Sequence, residues 1–156
     1  ERLIRLESVP QSPEWHPEGD TLIHTIIVYN RAIMANEYDL SIAAIFHDLG
    51  KEDTLSKNKK DEWAAHGHEK VSYKLCKKYE DWINDMTNGE AEKVCAVVKH
   101  HMRIKQIGNM RETKRRALQN YEYYNDLLKF TEFDSMRELT INEKFAAEAI
   151  ADRIKQ

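Results

Sequence analysis

Proline is confined to one short stretch of this chain, at Pro10, Pro13 and Pro17, and none follows from Glu18 to Gln156. Proline breaks helices and interrupts ladders, so the long remainder can build helices without interruption. Glycine is scarce as well, with 5 residues in 156, and no segment alternates apolar and polar residues over a useful length. The pattern predicts an all-α bundle of about six to seven helices in a single domain over 1–156. Residues 1–19, above all Pro10 to Gly19, read as an irregular lead-in.

Asp20 and Thr21 read as a helix N-cap region. The helix they open runs to about Asn36, with Ile23, Ile26, Ile27, Asn30 and Met34 on its inner side. Leu40 to His47 is apolar nearly all round and is expected to be the buried central helix, stopped by a left-handed Gly50. Lys51 to Lys60 reads as a lysine-rich loop. Further helices are predicted over 62–80, 89–103, 111–120, 121–137 and 141–155, broken at Asn88-Gly89 and Gly108-Asn109.

Charge excludes some functions. With 24 Lys and Arg against 27 Asp and Glu, the formal net charge is -3. Nothing global draws this chain to nucleic acid or an anionic membrane, so any RNA contact must come from a local patch. Cys76 and Cys95 form no C-x-x-C pair and read as reduced core thiols of an intracellular protein. No apolar run reaches the ~18 residues of a membrane span, and no signal peptide is visible. The expected location is the cytoplasm.

Chemistry concentrates in Phe46-His47-Asp48-Leu49-Gly50-Lys51, with His24 upstream and Asp134 far downstream. Adjacent His and Asp at the end of a buried helix meet its partial negative charge and make part of a cation site. Periodicity selects the remaining donors. Ala64, His68, Val71 and Leu75 share one helix face, and Val94, Val97, Val98 and His101 share another, with His100 about 100° off that stripe. Leu127, Phe130 and Asp134 put a carboxylate on an apolar face, where it needs a partner. Five helices thus aim His24, His47, Asp48, His68, His101 and Asp134 at one interior. A single histidine on such a stripe also reads as a satisfied core residue, as His16 and His66 do here unless they are simply surface. Asp134 alone could pair with Arg137 or another cation.

Together these residues resemble the HD superfamily of metal-dependent phosphohydrolases, whose signature is H…HD…D on a helical bundle. His16-Pro17-Glu18-Gly19-Asp20, His24-Thr25, His47-Asp48-Leu49-Gly50-Lys51, His68-Glu69 and His101-Met102 are similar to the HD domain attached to bacterial CCA-adding tRNA nucleotidyltransferases. The resemblance covers about Gln11 to Asp134. It implies His24, His47, Asp48 and Asp134 as primary metal ligands. It implies Lys51 at the substrate phosphate, and His68 and His101 at a second metal or the leaving oxygen. Nothing upstream of His24 offers a paired-aspartate polymerase motif, so a complete chain of this sequence would be a stand-alone phosphohydrolase.

The expected reaction is hydrolysis of a phosphomonoester or cyclic phosphodiester of a nucleotide or RNA end. Asp48 and Lys51 are the expected catalytic residues, with one or two divalent ions drawn from Mn, Ni, Co, Fe or Mg. Asp48 either bridges two ions or orients the attacking water. Arg103, Lys105, Arg111, Lys114, Arg115 and Arg116 form the densest basic stretch, just past His101, which could recognise phosphate or an RNA end. Arg103 and Arg111, with Lys51, are its candidate substrate contacts, though such a run also reads as a solvated helix face. Trp63, Tyr73, Tyr121, Tyr123 and Tyr124 could stack a base or simply fill the core. Alternatives are a 5′-nucleotidase or nucleoside triphosphate hydrolase, and a non-catalytic module binding RNA or protein. The sequence leaves the oligomeric state open.

Overall fold

A computed structural model describes residues 1–156. Ten helices carry the chain: α1 (Arg2–Arg5), α2 (Thr21–Met34), α3 (Tyr38–His47), α4 (Lys51–Thr54), α5 (His68–Lys78), α6 (Glu80–Thr87), α7 (Ala91–His100), α8 (Glu112–Gln119), α9 (Tyr124–Asp134) and α10 (Ile141–Ile154). Turns of 3-10 helix occupy Leu6–Ser8 and Arg103–Asn109. Two short antiparallel strands, β1 (Ser56–Lys57) and β2 (Trp63–Ala64), form a small hairpin.

The Asp20 side chain accepts from the Ile23 amide at 2.9 Å and caps α2 as expected. From Thr21 to Val28 every residue of α2 is buried, because α3 covers one side of the helix and α10 the other. Asn36, at φ 59°, turns the chain back into α3. This helix packs against α2 and α7, and α7 in turn packs against α5. The core therefore lies along α3, whose C-terminal end carries His47 and Asp48. No helix is long and apolar enough to cross a membrane. Cys76 and Cys95 are free and buried.

Several expectations are corrected. Pro10 to Gly19 holds no helix or strand, as expected, but residues 2–8 are helical, with Leu6 and Val9 buried in the core and the Thr21 hydroxyl donating to the Val9 carbonyl at 3.0 Å. Arg2 and Arg5 pair with Asp53 and Glu52 at 2.9 and 2.8 Å, strapping this segment across α4. Met34 is 84% exposed, and Ala32 seals the last turn of α2 instead. A helix covered on two sides does not announce one inner face. Lys51–Lys60 is not a loop, because it contains α4 and β1. Ala64 belongs to β2, so α5 begins later than predicted, and its buried residues are His68, Ser72 and Cys76. The predicted 62–80 helix stops short at Lys78, and α6 follows Tyr79 directly, burying Ile83.

Gly50 is needed for a different reason from the one its position suggested. Its φ is −72°, ordinary right-handed backbone. A Cβ there would lie 2.3 Å from the His68 carbonyl oxygen, 2.8 Å from the Ser72 amide nitrogen and 2.9 Å from Val71 Cβ. Only glycine lets the chain after α3 touch the first turn of α5, where its amide donates to Ser72 Oγ at 2.9 Å. Gly50→Ala is expected to cost about 1–3 kcal/mol by overpacking, read as a lowered urea midpoint.

Arg31 ties α2 to α10 by a two-pronged pair with Glu143, at 2.6 and 3.1 Å. The Arg31 hydrogen bond holds the Glu143 carboxyl below its ordinary value of 4.5. A depressed carboxyl stabilises the fold above its unfolded pKa, and that contribution is lost as pH falls through the folded value. The stability gap between wild type and Glu143→Gln should therefore be present at pH 7 and shrink below about pH 4.5, as urea unfolding at stepped pH would record.

Candidate metal centre

Five helix ends converge on a single buried cluster. His24 lies in the first turn of α2, and His47 and Asp48 end α3. His68 opens α5, His101 follows α7, and Asp134 ends α9. None of the six is more than 6% exposed. The sequence-predicted donors are thus brought together, while His66 is exposed and His100 packs edge-on against Tyr121 at 5.3 Å.

Every imidazole is anchored through Nδ1. His47, His68 and His101 each donate to the carbonyl three residues back, Ala44, Ala65 and Val98, at 2.6, 2.9 and 2.6 Å. His24 differs, since its Nδ1 donates to the Glu18 carboxylate at 2.8 Å. This network assigns the Nδ1–H tautomer and turns all four Nε2 atoms inward, the arrangement that orients metal-ligating histidines.

The inward atoms form two groups that share one carboxylate. His24 Nε2 lies 2.7 Å from Asp134 Oδ1, 3.4 Å from His47 Nε2 and 3.6 Å from Asp48 Oδ2. His47 Nε2 is 3.2 Å from Asp48 Oδ2 and 3.3 Å from Asp134 Oδ1. On the other side, Asp48 Oδ1 is 3.1 Å from His68 Nε2 and 3.7 Å from His101 Nε2, and these two nitrogens are 3.1 Å apart. Ligands held about 2.1 Å from one ion stand roughly 3.0–3.4 Å apart. The donor set therefore fits a divalent ion among His24, His47, Asp48 and Asp134. It also fits a second position beside Asp48, His68 and His101.

The electrostatics are those of donors contending for positive charge. Burial alone would raise Asp48, but His47 and Lys51 outweigh it and hold the carboxyl well below its usual range. Asp134 is held low against the same burial penalty, by Lys105 and the two histidines. Burial works against charge on His47, yet Asp48 and Asp134 lift it to about 10. Burial dominates at His101 and pushes it down to about 4. Burial also opposes charge on His24, which Asp134 and Glu18 nonetheless raise. A bound cation would take over the balancing role of these protons.

The basic residues separate by use. Lys51 Nζ lies 3.3 Å from Asp48 Oδ2 and donates to Gln11 Oε1 at 2.8 Å. Gln11 in turn donates to the Gly19 carbonyl at 3.3 Å. Arg103 and Arg111 are exposed and make no hydrogen bond or ion pair with any of the six donors. Arg115 donates to the carbonyls of Ile107, Gly108 and Met110, and Arg116 pairs with Glu112 at 2.9 Å. Two of the six residues of the basic stretch, Arg115 and Arg116, are thus occupied within their own segment. Tyr73, Tyr121 and Tyr124 pack against the core, and Trp63 sits under Lys57 in the hairpin.

Three residues that periodicity did not single out position the cluster. Glu18 is buried, and its Oε1 accepts from both His16 at 2.9 Å and His24 at 2.8 Å. Burial would raise this carboxyl, but the two histidines hold it at about 2. Arg31 donates to the carbonyls of Phe133, at 2.9 Å, and Ser135, gripping the backbone on both sides of Asp134. Lys105, rather than Arg137, is the partner of Asp134, at 2.7 Å from Oδ2.

A family model described as "HD domain" matches residues 21–153. The chain belongs to the HD domain family. Its matched relatives include proteins named "Multifunctional CCA protein". The one from Nitrosospira multiformis is 34% identical over 132 residues, which is 82% of this chain and 30% of the relative. That of Methylobacillus flagellatus is 32% identical over 139 residues, 84% of this chain and 31% of the relative. That of Hahella chejuensis is 39% identical over 77 residues, 48% of this chain and 17% of the relative. The chain thus spans about a third or less of the length of these relatives. It is an HD domain of the metal-dependent phosphohydrolase family, with a cluster fit to hold a divalent metal.

Glu18 supplies this HD domain with the one anionic anchor among its four imidazoles. Glu18→Gln keeps the shape and an acceptor but removes the charge. It is expected to weaken Mn²⁺ binding about 10–100-fold, measured by calorimetric titration, with the far-UV circular dichroism unchanged.

Proposed function

We propose that this HD domain hydrolyses a phosphomonoester or cyclic phosphodiester of a nucleotide or RNA end, with a donor set that would hold one or two divalent ions about Asp48. The observation that carries the reading is the division of the Asp48 carboxylate, with Oδ2 toward His24 and His47 and Oδ1 toward His68 and His101. A carboxylate shared in this way suits a two-ion phosphoryl site. Mixed imidazole and carboxylate donors favour Mn, Fe, Co or Ni over Mg.

His24, His47, Asp48 and Asp134 would hold the first ion, and Asp48, His68 and His101 the second. Ions held there supply Lewis-acid polarisation of the phosphoryl group and acidify water near neutral pH. With a single ion bound, the Asp48 carboxylate would instead orient the attacking water. Lys51, tethered by Gln11, offers an ammonium to a non-bridging phosphate oxygen without having to be recruited from solvent. The likeness to relatives named "Multifunctional CCA protein" supports an RNA end, such as a 2′,3′-cyclic phosphate or a 2′-phosphate, and with it a cytoplasmic setting.

The test is a substrate panel of 2′,3′-cyclic AMP, 2′-AMP, 5′-nucleotides and a generic phosphodiester, each with Mn²⁺, Ni²⁺ and Mg²⁺. Metal-dependent turnover is expected, strongest on the cyclic or 2′ substrates, and Asp48→Ala should reduce it by at least about 100-fold. Preference for 5′-nucleotides would move the protein to the nucleotidase reading. Metal binding with no turnover on any phosphoester would contradict the enzyme reading in favour of a binding module.

A further inference from the structure

The two carboxylates of the cluster are each paired with one lysine, and the two lysines are held very differently. Lys51 is 12% exposed in its side chain and is shared between Asp48 and Gln11. Lys105 comes from the 3-10 segment after α7, and its side chain is 40% exposed. Its one close oxygen partner is Asp134 Oδ2, at 2.7 Å. Its side chain's only other hydrogen-bond contact is the Met102 sulfur, at 4.0 Å. Lys105 thus stands where the buried cluster reaches the surface, facing the oxygen of Asp134 that points away from His24 and His47.

We propose that Lys105 is a second phosphate-binding residue of this site, one that exchanges Asp134 for a phosphoryl oxygen once the cluster is loaded with metal. The inference rests on the phosphohydrolase reading and adds a substrate contact to it. An ammonium and a divalent cation both draw on the charge of Asp134, so metal on the Oδ1 side weakens the hold on Lys105. The freed ammonium is compact and strongly hydrated, on a flexible stem, and so suited to an incoming anion. The lysines approach the cluster from different elements and contact different carboxylates. A phosphate seated against the metal positions would therefore meet positive charge from two directions. Two consequences of opposite sign follow for one substitution. Removing the Lys105 charge weakens anion binding, yet strengthens or preserves metal binding, because a competing cation is lost.

The experiment measures two affinities without requiring turnover. Wild type, Lys105→Gln, Lys105→Arg and the exposed control Lys74→Gln are titrated calorimetrically with Mn²⁺, and then, Mn²⁺-loaded, with inorganic phosphate. Lys105→Gln is expected to lose about tenfold in phosphate affinity while its Mn²⁺ affinity stays level or rises. Lys105→Arg should restore most of the phosphate affinity, and Lys74→Gln should match wild type in both titrations. Equal phosphate affinity in wild type and Lys105→Gln would overturn the proposal, as would a parallel loss of Mn²⁺ affinity, the mark of a prop for Asp134. Wild type that binds Mn²⁺ but no phosphate would refute the phosphohydrolase reading itself.

Discussion

Two carboxylates, Asp48 and Asp134, lie buried among helices, where neither could stay ionised by itself. Much of this molecule's architecture serves to surround them with positive charge and imidazole nitrogens. The donors come from α2, α3, α5, α7 and α9, so the bundle must hold five elements in register to within fractions of an ångström. That demand accounts for features that otherwise look unrelated. Gly50 has no room for a Cβ because α5 must come close enough for His68 to reach Asp48. Arg31 spends its guanidinium on backbone carbonyls at the end of α9, which fixes where Asp134 begins its reach.

The same demand explains the repeated use of helix ends. His47 and His101 sit at C-terminal ends and donate Nδ1 to the carbonyl three residues earlier. A terminal carbonyl left unpaired by the helix thereby becomes the orienting partner of a ligand. His68 donates to the Ala65 carbonyl ahead of α5, and that carbonyl also accepts from the His68 amide at 3.3 Å. His24 is in the first turn of α2, with its carbonyls committed to the helix, and it takes a carboxylate from the preceding loop instead. The ordered lead-in follows from that arrangement, since Glu18 must be fixed to fix His24.

The donors were legible in the sequence because each sits on a helical stripe or beside the adjacent His47-Asp48 pair, and a polar residue at an apolar position is conspicuous. Their supports were not legible. Glu18 stands in the His16-to-Asp20 motif but in a proline-bounded loop with no periodicity to show which way it points, and Lys105 lies in a basic run that reads both as a phosphate contact and as solvated surface. Arg31 is one more arginine on an amphipathic helix until the fold brings the end of α9 beside it. Fold class came through for the same reason as the donors, yet the boundaries moved wherever tertiary contact overrode local pattern. Leu6 and Val9 are too few to show a period but sufficient to dock a segment. Tyr79, at φ −102° and ψ 23°, breaks the helix in a way that apolar spacing does not encode, and the hairpin at 56–64 is too short for its alternation to stand out. Gly50 reads from sequence as a site of conformational freedom, whereas the position of α5 makes it a site of close approach.

The matched relatives are longer than the segment they share with this chain, and the Asp48 carboxylate lies between the two groups of imidazoles within that segment. The most direct measurement is anomalous diffraction at the manganese edge from crystals grown with Mn²⁺. The account predicts two peaks about 3.5–4 Å apart, one among His24, His47, Asp48 and Asp134, the other beside His68 and His101, with Asp48 between them. A single peak away from Asp48, or none at saturating Mn²⁺, would contradict it.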